Sequence, residues 1–239
     1  MNTIGFEKKN TLVIAHRGLS GIEQENTCSS FVAAGNRSYY GIETDIHRTA
    51  DGHFIISHDN NLERTAGEKI NVESATLSEL QDIVLFDKDG TKSRNDLRLC
   101  ILENYVTICK KYEKQSILEL KSDFTNEEIK SIIDIFKKQD HLDKVTFISF
   151  NYDNLLKVRK ILPKQSVQYL FWNIEDDILD RLAKDKIDLD VYYAHLTEHD
   201  IKRAHSLGLK VNCWTVDNKE DAERLAKWDI DYITSNILE

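Results

Sequence analysis

The segment GIETDIHRTADGHFIISHD, Gly41 to Asp59, holds two apolar β-rich runs, GIETDIH and FIISH, with very little chain between them. The connection RTADG is tight, and Asp51-Gly52 at its tip is a strong hairpin signal. A parallel crossover needs about a dozen residues or more. Phe54–His58 is therefore predicted to return antiparallel and fold back over the sheet.

That return matters because the chain has nine such runs. The others are LVIAH, SILELK, VTFISF, VQYLF, DVYYAH, KVNCWTV and DYITS. Amphipathic stretches lie between them, such as Asn126–Gln139, Tyr152–Leu162 and Thr197–Gly208. In the first of these, Ile129, Ile132, Ile133 and Phe136 fall at three- and four-residue steps and make one helical face. Asn126 is the predicted N-cap there, and Gly208 sits where a C-terminal cap belongs. Strands alternating with helices imply a parallel sheet covered by helices. With Phe54–His58 set aside, eight parallel strands remain, the number a (β/α)8 TIM barrel holds. An open doubly wound sheet is the competitor, but no Gly-rich phosphate loop follows the first strand. The stretch Asn60–Cys100 does not fit the repeat. It is polar, carries one short helical pattern at Ser78–Val84, and reads as an insertion of about residues 60–100 at the barrel mouth. No linker divides residues 1–239, so a single domain is expected.

At 239 residues the chain can bury a full core, and 41% hydrophobic and 31% charged residues describe an ordinary globular protein. A formal charge of −9 argues against a nucleic-acid partner, which needs a basic face. The first residues lack a secretory pattern, and no apolar stretch approaches the roughly 20 residues of a membrane helix. A cytoplasmic protein without a membrane span is the expectation. Cys28, Cys100, Cys109 and Cys213 show no metal-ligand spacing and are expected to be reduced thiols.

In a (β/α)8 barrel, polar residues at the carboxyl ends of the strands converge on one site. Here the first strand ends in His16-Arg17, the second carries Glu43 and Asp45 on one face, and the hairpin return ends in His58-Asp59. The third parallel strand carries Glu119 and Lys121, and the seventh ends near Trp214. Carboxylates facing a barrel interior need either cationic partners or a bound cation. Glu43, Asp45 and Glu119 form an oxygen-rich set suited to Mg²⁺ or Ca²⁺. The competing reading is a salt-bridge network in which Arg17 and Lys121 balance the acids. Two histidines, a divalent cation and two fixed positive charges point to phosphoryl chemistry. One imidazole takes a proton from the attacking oxygen, and the other supplies one to the departing alkoxide.

The motifs HRGLSGIEQENT and IETDIHRTADGHFIISHDNNLERT, followed by LELK, ISF, WTVDN and DYITSN, span almost the whole chain. In this order they resemble the glycerophosphodiester phosphodiesterase family. The resemblance implies a (β/α)8 barrel with a small insertion after the H-D motif. It also implies a Mg²⁺ or Ca²⁺ site and hydrolysis of a small glycerophosphodiester substrate to an alcohol and glycerol 3-phosphate, in lipid and glycerol phosphate metabolism. By motif position His16 and His58 match the catalytic pair, and Glu43, Asp45 and Glu119 the metal ligands. Arg17 and Lys121 match the phosphate-contacting cations, and Trp214 the aromatic beside the glycerol. Two motif positions depart from the family pattern: Gln24 stands where proline is usual, and the closing T-[DN]-x-P reads Ser235-Asn236-Ile237-Leu238. Two rival functions are a barrel resembling sphingomyelinase D, which releases a cyclic phosphate, and a catalytically silent phosphodiester-binding barrel. The missing export signal counts against the first, and the complete set of histidines and carboxylates against the second.

Overall fold

The computed structural model describes residues 2–175 and 177–239. Its elements run β1 (Leu12–Ala15), α1 (Cys28–Gly35), β2 (Gly41–Arg48), β3 (Phe54–Ile56), β4 (Asn61–Leu62), α2 (Glu63–Ala66), β5 (Glu68–Asn71), α3 (Leu77–Gln81), α4 (Leu102–Lys111), β6 (Gln115–Leu120), α5 (Asn126–Lys138), β7 (Val145–Ser149), α6 (Tyr152–Ile161), β8 (Ser166–Phe171), α7 (Ile178–Asp185), β9 (Asp188–Tyr192), α8 (Glu198–Ser206), β10 (Val211–Trp214), α9 (Lys219–Lys227) and β11 (Tyr232–Ser235). Eight strands pair in parallel in the order β1-β11-β10-β9-β8-β7-β6-β2, and β1 meets β2 again through Ile14↔Gly41 to close the ring. This is the expected (β/α)8 barrel.

The ninth strand behaves as the short RTADG connection requires. β3 pairs antiparallel with β2 in the register Ile46↔Ile56 and Arg48↔Phe54. At the tip, Thr49 N–H donates to the His53 carbonyl at 2.8 Å, and Gly52 takes φ +82°, a conformation that disfavours any residue with a Cβ.

Side chains of the ring alternate with period two. Val13, Ala15, Ile42, Leu118, Phe147 and Val191 point outward into one large core shared with the helices. Ile14, Ile117, Ile148, Leu170 and Tyr232 point inward and plug the barrel. Helix α5 buries Ile129, Ile132, Ile133 and Phe136 as expected. Its N-cap is Thr125 rather than Asn126, because Thr125 forms a reciprocal capping box with Glu128. Gly208 follows the end of α8 with φ +77°.

Residues 60–100 hold more structure than their polarity suggests. β4 and β5 form a two-stranded sheet, and Leu62, Ala66, Val72, Leu80, Leu85, Leu97 and Leu99 make a separate small core with Ile55. The predicted helix at Ser78–Val84 is α3, which ends at Gln81, and Val84 beyond it bridges Arg98. This segment is tied to the loop after β1 by Lys88 Nζ to the Ser20 carbonyl and by Arg94 to Glu23, both at 2.8 Å. All four cysteines are free thiols, and Cys28 Sγ lies 3.0 Å from Cys100 Sγ. Among the described residues no helix is long and apolar enough to cross a membrane.

Candidate active site

The inward alternation continues past the barrel plug to the carboxyl ends of the strands, where its chemistry changes. On one side stand His16, Glu43, Asp45, Glu119, Lys121 and Asn236. On the other stand Phe150, Trp172, Tyr192 and Trp214, whose rings meet at centroid distances of 4.7–6.4 Å. One pocket runs between the two halves and is lined by His16, Arg17, Glu43, His58, Glu119 and Trp214, among others.

Glu43, Asp45 and Glu119 come together as expected, all buried, with ligand oxygens within 4.8 Å of one another. Two oxygens on opposite sides of a hard cation at 2.3–2.6 Å lie about 5 Å apart, so the set is spaced to surround one ion. Asp45 Oδ1 is buried and has no hydrogen-bond partner among the described residues. Its Oδ2 accepts from Asn26 Nδ2 at 2.9 Å, and Asn26 is held in turn by Thr44 Oγ1. Arg17 and Asn26 both take left-handed backbone conformations, φ +54° and +58°. That turn aims the Arg17 N–H at Glu43 Oε2, 2.8 Å away. Lys121 Nζ lies 3.0 Å from Glu119 and 3.6 Å from Asp45, and Arg17 Nε lies 3.6 Å from Asp45. Both cations thus touch the acids as in the salt-bridge reading, while Arg17 also lines the pocket. Two cations face three carboxylates, which leaves the cluster short of positive charge.

The two histidines enter the pocket with different supports. Asp217 fixes the Asn236 amide by accepting from Nδ2 at 2.6 Å, so Asn236 Oδ1 faces His16 Nδ1 at 2.8 Å. An acceptor there holds the proton on Nδ1 and leaves the Nε2 lone pair for the pocket. His58 Nδ1 instead meets the Asp59 carboxylate at 2.7 Å. Asp59 accepts from Arg64 Nε, and the other two Arg64 nitrogens grip Glu25, which also accepts from Arg17 at 2.9 Å.

Residues 16–238 match the glycerophosphoryl diester phosphodiesterase family. The chain belongs to that family. A glycerophosphodiester phosphodiesterase of Caldanaerobacter subterraneus is 30% identical, with 95% of this chain and 94% of the relative aligned. One of Bacillus subtilis is 27% identical over 94% of this chain and 83% of its own. Among solved structures, a phosphodiesterase of Oleispira antarctica in complex with the product sn-glycerol-3-phosphate superposes with a TM-score of 0.87. It is 25% identical and aligns over 95% of this chain and 93% of that one. A glycerophosphodiester phosphodiesterase of Parabacteroides distasonis gives 0.81 at 30% identity, over 96% and 94%. The phosphodiesterase described here is accordingly a phosphoric diester hydrolase.

The electrostatics of this phosphodiesterase follow from its geometry. Burial, with Arg17 alongside, lowers His16 to about 4 and keeps its imidazole neutral. Burial also lowers His58, with Arg17 and Lys121 adding and Asp45 and Asp59 opposing. Burial pushes Asp45 upward, but Arg17 and Lys121 outweigh it and hold the carboxyl far below its ordinary value. Glu43 and Glu119 go the other way. Burial and the neighbouring Asp45 charge raise Glu43 well above the carboxylate range and push Glu119 up to about 8. A divalent cation among the three oxygens would offset both the burial and the repulsion that raise them.

Every residue expected from the sequence reaches this end of the barrel, but Lys121, expected as a phosphate-contacting cation, lies against Asp45 and Glu119 and is not among the residues lining the pocket. Sequence reasoning does not assign Asn26, Glu25, Arg64, Asp217 or the second-half aromatics Phe150, Trp172 and Tyr192. For Asn26 the signal is ENT beside the first motif, and for Asp217 and Asn236 it is their place in WTVDN and DYITSN. Arg64 stands in the closing LERT of the second motif, but it lies on the short helix α2 and off every strand, so no strand-end argument points to it.

Proposed function

We propose that this enzyme hydrolyses glycerophosphodiesters to an alcohol and glycerol 3-phosphate, with one divalent cation, Mg²⁺ or Ca²⁺, held by Glu43, Asp45 and Glu119. The observation that carries it is the pocket where Glu43 and Glu119 of a three-carboxylate cluster meet two histidines whose supports favour opposite proton states. The cation supplies charge stabilisation at the phosphoryl oxygens when bound. Arg17 binds the phosphate from the pocket wall, and Lys121 balances Asp45 and Glu119 behind it. His16 acts as base, because Asn236 holds its proton on Nδ1 and burial keeps Nε2 free to take one from the attacking water. His58 acts as acid, because the Asp59 carboxylate stabilises an imidazolium and the incoming phosphodiester charge offsets Arg17 and Lys121. The water oxygen bonds to phosphorus, the phosphorus–alkoxide bond breaks, and the alkoxide leaves with the His58 proton. Trp214 and its aromatic neighbours face the carbon skeleton.

The test is glycerol 3-phosphate release from glycerophosphocholine, glycerophosphoethanolamine and glycerophosphoglycerol. A chelator should abolish it, and Mg²⁺ or Ca²⁺ should restore it. Full turnover by metal-stripped enzyme would return the carboxylates to the salt-bridge reading. A stable cyclic phosphate in the ³¹P spectrum would mean that an internal hydroxyl attacks instead of water.

A further inference from the structure

Below the aromatic half of the pocket lies an acid that the chemistry above does not use. Asp190 points inward from β9, level with Leu170 on β8 and Asn212 on β10. It is only 2% exposed, yet it is among the residues that line the pocket. Its Oδ1 is buried and has no hydrogen-bond partner among the described residues. A buried polar atom left unpaired is costly, and native proteins seldom keep one without a ligand, water or function to meet it.

The surroundings narrow what that partner is. His16, His58, Arg17 and the carboxylates place the phosphorus at the charged side, so Asp190 meets the part of the substrate that extends away from it. This end of the pocket is closed, because Ile14, Ile117, Ile148, Leu170 and Tyr232 fill the barrel beneath. Only a short arm fits there, whereas the variable alcohol needs the open mouth. Leu170, Ile148 and the Trp214 ring present apolar faces to its carbons, and Trp214 is pinned in place by Nε1 donating to the Asp190 carbonyl at 3.2 Å. Burial, with Glu119 adding and Asn212 opposing, raises the Asp190 carboxyl well above its ordinary range. A neutral carboxyl is both donor and acceptor, which complements a hydroxyl and is a poor partner for an ammonium group.

We propose that Asp190 is a specificity-determining residue whose Oδ1 pairs with a hydroxyl of the glyceryl arm, the arm that stays on phosphorus. The enzyme thereby separates glyceryl from plain alkyl phosphodiesters. This assignment rests on the hydrolytic reading above for its orientation of the substrate.

Two esters with one leaving group test it: the 4-nitrophenyl phosphodiesters of glycerol and of propanol. Wild-type enzyme should favour the glyceryl ester in kcat/KM by about tenfold or more, the worth of one good buried hydrogen bond. Asp190→Leu should lose about tenfold more on the glyceryl than on the propyl ester, mainly through KM. Asp190→Asn, which keeps a donor and an acceptor, should retain most of the preference. Proportional losses on both esters would reduce Asp190 to a structural part and overturn the proposal. If Asp190→Leu does not fold, Asp190→Ala is read by the same ratio. Calorimetric binding of glycerol 3-phosphate against propyl phosphate to the wild type needs neither turnover nor a variant, and equal affinities also overturn the proposal. Hydrolysis of neither ester, with glycerol 3-phosphate still bound about tenfold tighter, would sink the hydrolytic reading and leave the Asp190 assignment standing.

Discussion

His16 answers to an amide and His58 to a carboxylate, and that difference should be visible in kinetics. Either alanine substitution is expected to lower kcat by about 10²–10⁴, the range for a lost acid or base. A 4-nitrophenyl leaving group needs little protonation, so it should rescue His58→Ala far more than His16→Ala. The reverse pattern would exchange their roles. The pH profile should be bell-shaped, rising as the base deprotonates and falling as the acid does. A second pH effect concerns stability. Glu119 is pushed up to about 8 and Glu43 is raised well above the carboxylate range, so the metal-free native state holds protons that the unfolded chain has released. Their stabilisation is complete below the ordinary carboxylate range and is lost as pH rises through the folded values. His16, lowered to about 4, works in the opposite sense, but only below its unfolded pKa of about 6.5. Between about pH 6.5 and 8 the metal-free enzyme should therefore melt at falling temperature, and added Mg²⁺ or Ca²⁺ should raise Tm more at the upper end. A flat Tm across that window would show that these glutamates do not carry the protons. The principal residues were legible in the sequence because strand ends in a barrel must converge. The support of His16 was not, because its Asn236 contact joins residues 220 apart.

At the scale of elements, the β2–β3 hairpin is the part most fully legible, since its connection is too short for any crossover. Residues 60–100 were legible only as a break in the repeat. Their small core draws on Leu62, Leu80, Leu85, Leu97 and Leu99, which are scattered among charges with no period to reveal a shared interior. Nor does composition show that α2 reaches into the site. Arg64 from that helix joins Asp59 to Glu25, and Glu25 joins Arg17, so the insertion orients both the His58 support and a pocket cation. Arg64 is half exposed, and exposed ion pairs contribute about 1 kcal/mol or less to stability. Arg64→Ala should accordingly leave Tm within a few degrees of wild type while kcat falls severalfold or more, as measured by calorimetry alongside steady-state kinetics. A large drop in Tm with unchanged kcat would make the arginine a staple of the insertion and nothing else.

At the scale of the whole molecule, the family match over residues 16–238 and the closed ring agree on one architecture. The apolar plug inside that ring has a consequence for traffic. With no exit through the barrel, everything that enters must return by the same mouth. On the orientation proposed above, the alcohol would lie outermost and depart first, and glycerol 3-phosphate would then have an open path. Its inhibition should be competitive with substrate, whereas the free alcohol, meeting an enzyme still occupied, should inhibit weakly and by a mixed pattern. Initial-rate measurements with each product would establish the sequence of departure. If the alcohol proved the competitive inhibitor, it would have to leave last, and the substrate would have to lie in the barrel the other way round.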